Sequence, residues 1–312
     1  MFVRSLLLMC YVLLVTGCLH SSKEQIPVVY PNSKQQLRVP DFTHVSVKGT
    51  LNVNLHTGYS HSQVILHGNP SDLAHLTTVV TNGTLRIVLA RGYPKYGGVQ
   101  VEIDSRYLNS FDYHGNGVVT GNQLRTSLLD VSIENDGSTL LKGAFNLHKL
   151  ELSGKGYTEI DGINSPNLQI KLSGKSRVKL VGWANISSLD LSNNGWLSMY
   201  WVKSKVLTVR GHGHTFIQLA GAVEHLDVEL WDQAHFNGRY LRAERSFVKT
   251  HGKSVAEIAA VKRQHTLATD TSDILFFNLP VMKADFMSYN GAVLDMRELG
   301  LPFIQEYNQY NK

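Results

Sequence analysis

From about residue 107 to residue 296, apolar and polar residues alternate in short runs, and each run is cut by a residue that tolerates a left-handed backbone. The runs before the cut carry Val131 and Ile133, Leu150 and Leu152, Ile170 and Leu172, Leu189 and Leu191, Leu207 and Val209, and Val228 and Leu230. Alternation with a period of two is the pattern of a strand with one buried face. The cut falls at Asn135, Gly154, Gly174, Asn193, Gly211, Asp232 and Gly252, about every 20 residues. Gly, Asn and Asp accept the sharp backbone bend that such a corner needs. A second alternating run follows each corner, with Thr139 and Leu141, Thr158 and Ile160, Val178 and Leu180, Leu197 and Met199, and Thr215 and Ile217. The pattern predicts two or more strands per coil in an all-β, right-handed parallel β-solenoid, each coil burying its apolar side against its neighbours. An antiparallel sandwich also has short strands at regular spacing. It does not require the same corner chemistry in one register through seven repeats.

Stacked coils lie about 4.8 Å apart, so equivalent residues form ladders. One outward position reads Glu151, Lys171, Asp190, then Glu229 and Lys249. Opposite charges on successive coils favour a solvated ladder that holds register, each pair contributing about 0.2–1 kcal/mol. The position three residues after the corner reads Tyr157, Arg177, Trp196, His214 and His235. These five residues form the candidate ligand-binding ladder. A row of rings with an interleaved guanidinium either offers stacking surfaces to a sugar chain or stacks on itself.

The N-terminus gives a cellular address. Arg4 precedes the apolar run LLLMCYVLLV, which ends in Val15-Thr16-Gly17-Cys18. The run is too short for a spanning helix and has the layout of a secretory signal. Its end resembles a bacterial lipobox, in which Cys18 would be lipidated. The chain has two cysteines, and Cys10 falls inside the signal, so the mature protein would carry no free thiol for catalysis, zinc or a disulfide. Leu19, in place of an aspartate, leans toward the outer membrane. The expected organisation is a signal peptide over 1–17, a lipidated cysteine and tether over 18–37, a solenoid over 38–300 and a tail over 301–312. The tether carries two prolines in a polar stretch, as a linker does.

Charge changes the picture little. The formal +5 becomes +4 once Arg4 leaves with the signal, since residues 1–17 hold no acid. The basic residues are scattered, which argues against nucleic acid as a partner. Expected partners are the membrane, through the N-terminal lipid, and glycans or surface proteins of the envelope or a host. No cofactor motif stands out. Gly174-Lys175-Ser176 and Gly252-Lys253-Ser254 mimic the end of a phosphate-binding loop, but Gln169 and Phe247 replace its first glycine. His212 and His214 could share a strand face, with Asp232 or His235 on the next coil, but a third metal ligand is not evident. The enzymatic alternative is a polysaccharide lyase or hydrolase. It would need two carboxyl groups about 5–9.5 Å apart, and lysine interrupts Glu151–Lys171–Asp190.

In the first part of the domain the 20-residue period is not clean, yet a pattern persists. It includes FTHVSVKG over 42–49, VNLHTG over 53–58, VILHGN over 64–69, NGTLRI over 82–87, VQVEI over 99–103 and GNGV over 115–118. With LSGKG over 152–156, this resembles the bacterial family of auto-transporter adhesin head GIN domains, over roughly residues 40–220. The resemblance implies a secreted or lipid-anchored β-solenoid and supplies no functional residues to carry over. The chain departs from the pattern after Gly213, where Trp231-Asp232 replaces the glycine corner. The expectation is a lipid-anchored envelope module that binds or adheres without catalysis.

Overall fold

The structure, a computed structural model, describes residues 32–277 and 283–296. It is a β-solenoid. Eight long strands stack in parallel in chain order: β9 (Val119–Asn135), β10 (Thr139–Ser153), β11 (Tyr157–Leu172), β12 (Arg177–Leu191), β13 (Trp196–Gly211), β14 (Phe216–Leu230), β15 (His235–Thr250) and β16 (Val255–Thr269). Each coil is therefore one continuous strand and one sharp corner, where the sequence pattern suggested separate short strands. The strand bends without breaking. Pairing of β10 with β11 shifts register between Lys142 and Phe145 and again between Phe145 and Lys149. These bulges divide a coil into a leading, a middle and a trailing segment.

The inward positions follow the alternation. Leu152, Leu172, Leu191 and Leu230 occupy one inner row and are buried; so do Val131, Leu150, Ile170, Leu189, Val209, Val228 and Val248 in the next. Burying one such side chain stabilises the fold by about 1.5–3 kcal/mol. Toward later coils the same rows carry Thr250, Thr266 and Ala268, all buried.

Five of the seven expected corners have a left-handed backbone, Gly154, Gly174, Asn193, Asp232 and Gly252, whereas Asn135 ends β9 without a positive φ. In the coil of β13 the corner is Gly213, at φ +78°, and not Gly211. A Cβ on Gly213 would lie 2.5 Å from the Asn193 carbonyl oxygen. Asp232 suits its corner for a second reason: its carboxylate accepts the Gly213 N–H at 2.9 Å, tying one coil to the last.

The first part of the domain is threaded differently. β2 (His44–Lys48) and β3 (Asn52–Thr57) form a coil lying between two others. On one side are β8 (Ser110–Gly115) and β9; on the other are β6 (Thr84–Leu89) and β7 (Gln100–Ser105). The outer side is closed by antiparallel strands. β5 (Leu76–Thr81) pairs with β6, and β4 (Gln63–Gly68) pairs with β7 and with β1 (Ser33–Arg38). All of β1 except Arg38 falls within the stretch that the sequence assigned to the tether. A helical turn, α1 (Pro70–Leu73), starts at Asn69, whose side chain accepts the Ser71 N–H at 2.9 Å. The buried Asp72 carboxylate accepts the N–H groups of Lys95 and Tyr96 at 2.8 and 2.9 Å. Out-of-order stacking and antiparallel pairs explain why no 20-residue period is visible here.

At the other end β17 (Asp273–Phe276) and β19 (Ala292–Asp295) extend the leading segments, and β18 (Lys283–Tyr289) extends the trailing one. Every residue of β18 is exposed.

Candidate functional site

The residue that opens each leading segment is fixed by the strand before it. Backbone N–H groups of Arg177, Trp196, Phe216 and His235 donate to carbonyls of the preceding coil at 2.8–3.1 Å. This regularity stacks their side chains in one row: Tyr157 pairs with Arg177, Arg177 with Trp196, Trp196 with Phe216, and Phe216 with His235. Four of the five residues expected in the ladder therefore stand in one row, with Phe216 between Trp196 and His235. His214 is not among them. It lies at the corner two residues earlier, exposed, with its N–H donating to the Asn193 carbonyl at 2.6 Å. Phe216 holds the ladder position. The corner at Gly213 was the missing signal, because counting from Gly211 displaces the register by two.

The row has two chemical halves. In the first, Tyr157 is 44% exposed and Arg177 is exposed. The Tyr157 hydroxyl donates to Glu159 Oε2 at 3.0 Å, and Lys179 Nζ lies 3.3 Å from Glu159 Oε1. Partial burial and the Glu159 carboxylate raise the Tyr157 pKa, while the Tyr157 hydroxyl and Lys179 lower that of Glu159. In the second half the rings are half-buried against each other. The Trp196 and Phe216 rings are nearly parallel with centroids 6.2 Å apart, and His235 meets Phe216 edge-on at 5.0 Å. His235 Nε2 lies 2.8 Å from Glu257 Oε1. Self-stacking thus uses the second half and leaves Tyr157 and Arg177 open to a partner.

A second ring stack at the corners escaped sequence reasoning. His212 lies flat on Trp231 at 4.1 Å, and Trp231 on His251 at 5.8 Å. His212 therefore serves as a stacking partner in this arrangement. Among the described residues no group of three or more His, Cys, Asp or Glu side chains is placed to hold a metal ion. The signal was present as three aromatic residues at one coil position, Trp231 and a histidine on either side. The charged row is also more regular than the sequence suggested: Arg210 stands between Asp190 and Glu229, so signs alternate from Glu151 to Lys249. Beside this row is an open groove of about 290 Å³. Cys18 lies outside the described residues.

The fold and these outward ladders define a β-solenoid that presents regular rows of side chains. The chain belongs to the family described as "Putative auto-transporter adhesin, head GIN domain", whose profile matches residues 41–210 and 143–280. The second match carries the family pattern past residue 220 and across Trp231-Asp232. Similar solved structures include a "putative adhesin" from Parabacteroides merdae, 13% identical, TM-score 0.44, covering 85% of this chain and 96% of that one. Another "putative adhesin", from Parabacteroides distasonis, is 12% identical with TM-score 0.44, covering 86% and 98%. A "Putative lipid binding protein" from P. distasonis is 11% identical with TM-score 0.41, covering 85% and 97%. No curated protein matches the chain.

Proposed function

We propose that this protein is a non-enzymatic binding module of the bacterial cell envelope, held to the outer membrane by lipid on Cys18 and engaging a surface partner through its outward ladders. Membership of a family named for adhesion supports the binding role and the envelope location. The Val15-Thr16-Gly17-Cys18 sequence supports the anchor. The observation that carries the reading is the open half of the ladder, where Tyr157 and Arg177 stand exposed on adjacent coils. An exposed ring beside a guanidinium offers one stacking face and one fork of donors to a glycan or an acidic side chain.

Two experiments test it. Cys18→Ser should abolish incorporation of labelled palmitate and move the protein out of the membrane fraction. A mutant that still labels and sediments with membranes removes the anchor. For the ladder, Tyr157→Ala with Arg177→Ala should keep the melting temperature and weaken glycan-array or host-cell binding about ten- to a hundredfold. Unchanged binding removes the ladder as the contact surface. Release of reducing ends from the bound glycans would instead assign a carbohydrate-active enzyme.

A further inference from the structure

A different surface carries a more specific proposal. On the middle segments of five successive coils, Pro166, Trp183, Lys203, Glu224 and Arg242 line one groove of about 530 Å³. This is within the range of small-ligand sites, roughly 300–1,000 Å³. Five coils span about 19 Å at a spacing near 4.8 Å, so the groove suits an elongated ligand lying along the solenoid. None of the ladder residues line it.

Three observations define what would lie there. The first is an aromatic surface. Trp183, in the groove lining, is 39% exposed; Trp201, on the next coil and outside that lining, is 50% exposed. Each immediately precedes a residue of the Ala184–Val202 pair. The second is backbone strain. Trp201 has φ +68°, while glycines take the positive-φ bends of nearby coils, as Gly221 does at φ +140°. A bulky aromatic residue is an outlier in the left-handed region, and such strain concentrates at binding sites. The third is charge. Lys203, Lys205 and Arg242 are exposed along the groove and, among the described residues, none is in a salt bridge. Of the two carboxylates there, Glu244 is held by Lys262 at 2.7 Å and is also attracted by Arg242, so cations outnumber acids in the groove lining.

We infer that this groove binds an acidic oligosaccharide, with a sugar ring on the Trp183 indole and its carboxylate or sulfate groups on Lys203, Lys205 and Arg242. One face of a pyranose ring presents C–H groups, slightly positive and weakly hydrated, which complement the negative face of an indole. The cations supply the sign selectivity and do so at the rim, where solvent-exposed attraction is sensitive to salt. The inference does not depend on the Tyr157 ladder.

The test is a titration of the full chain, in detergent, with a galacturonic-acid hexamer and with a neutral glucose hexamer, followed by tryptophan fluorescence and calorimetry. The acidic hexamer should bind and the neutral one bind at least about tenfold more weakly. Trp183→Ala should weaken binding about ten- to a hundredfold at an unchanged melting temperature. Lys203→Ala with Lys205→Ala should weaken binding and flatten its salt dependence. Tyr157→Ala with Arg177→Ala should bind the hexamer as the wild type does, separating this site from the ladder. Absence of binding by the wild type, equal binding of the neutral hexamer, or full affinity in Trp183→Ala would overturn the proposal.

Discussion

The two ends of the described solenoid solve the same problem with different success. A coil buries its inner face only between two neighbours, so a terminal coil needs a cover. At the N-terminal end, antiparallel strands and a helical turn supply one, and Leu85, Ile87 and Val101 of the outermost parallel coil are fully buried. At the other end the inner rows change to Thr250, Thr266 and Ala268, all buried, while β18 beyond them is exposed. Phe286, whose pair partner is the inward Thr266, is 45% exposed, yet Ser272 is completely buried. Burial near an end is therefore set by what lies above a residue, and not by its own hydrophobicity.

One chemical change placed at both ends gives the largest contrast. Leu85→Asp buries an unpaired charge and should cost several kcal/mol or prevent folding. Phe286→Asp should cost about 1 kcal/mol or less, chiefly through its ring contact with Phe276, whose centroid is 4.9 Å away. Chemical denaturation of both variants checks the pair, and similar losses would mean that the C-terminal coil is as well covered as the first.

The next contrast is a pH effect at a buried tyrosine of the N-terminal region. Tyr113 is buried, its hydroxyl donates to the Leu51 carbonyl at 2.9 Å, and burial pushes its pKa up to about 12. Below the unfolded value of about 10, the phenol is neutral in both states and its contribution is fully present. Between about pH 10 and 12 the unfolded chain ionises first, so stability falls as pH rises, by roughly 2–3 kcal/mol over that window. Thermal melts should show Tyr113→Phe losing less stability than the wild type across this range. Parallel curves for the two proteins would remove Tyr113 as the cause.

A smaller effect compares neighbouring rungs of one inner row. Val248 and Thr266 are register partners and both buried, and the Thr266 hydroxyl has no hydrogen-bond partner. Thr266→Val should stabilise by about 1 kcal/mol, and Val248→Thr should cost about 1–2 kcal/mol. Opposite signs in urea denaturation are the expected result. The smallest change belongs to the outer face: Arg210→Ala breaks the alternating charged row and should cost under about 1 kcal/mol, less at high salt.

Much of the coil architecture was legible from the residues. Alternation marked the inward leucines, and Gly, Asn and Asp marked the corners, because both signals are local properties of the backbone. The ladder was legible only in part. Coil lengths vary by a residue or two, so the apparent corner at Gly211 moved His214 into a position that the hydrogen-bonded register gives to Phe216. The Trp183 groove was not legible, since it joins residues from five coils that share no position in the repeat used to read the chain.

The sequence alone determined that these residues stack as parallel coils with a fixed inner face, since period-two alternation and left-handed corners act within one turn of chain. Only the tertiary structure decided that β2 and β3 lie between coils that follow them in sequence, and that antiparallel strands close that end. It also decided which outward rings meet. Those outcomes depend on pairings between strands tens of residues apart, where hydrogen-bond register and bulges set the neighbours and no local period encodes them.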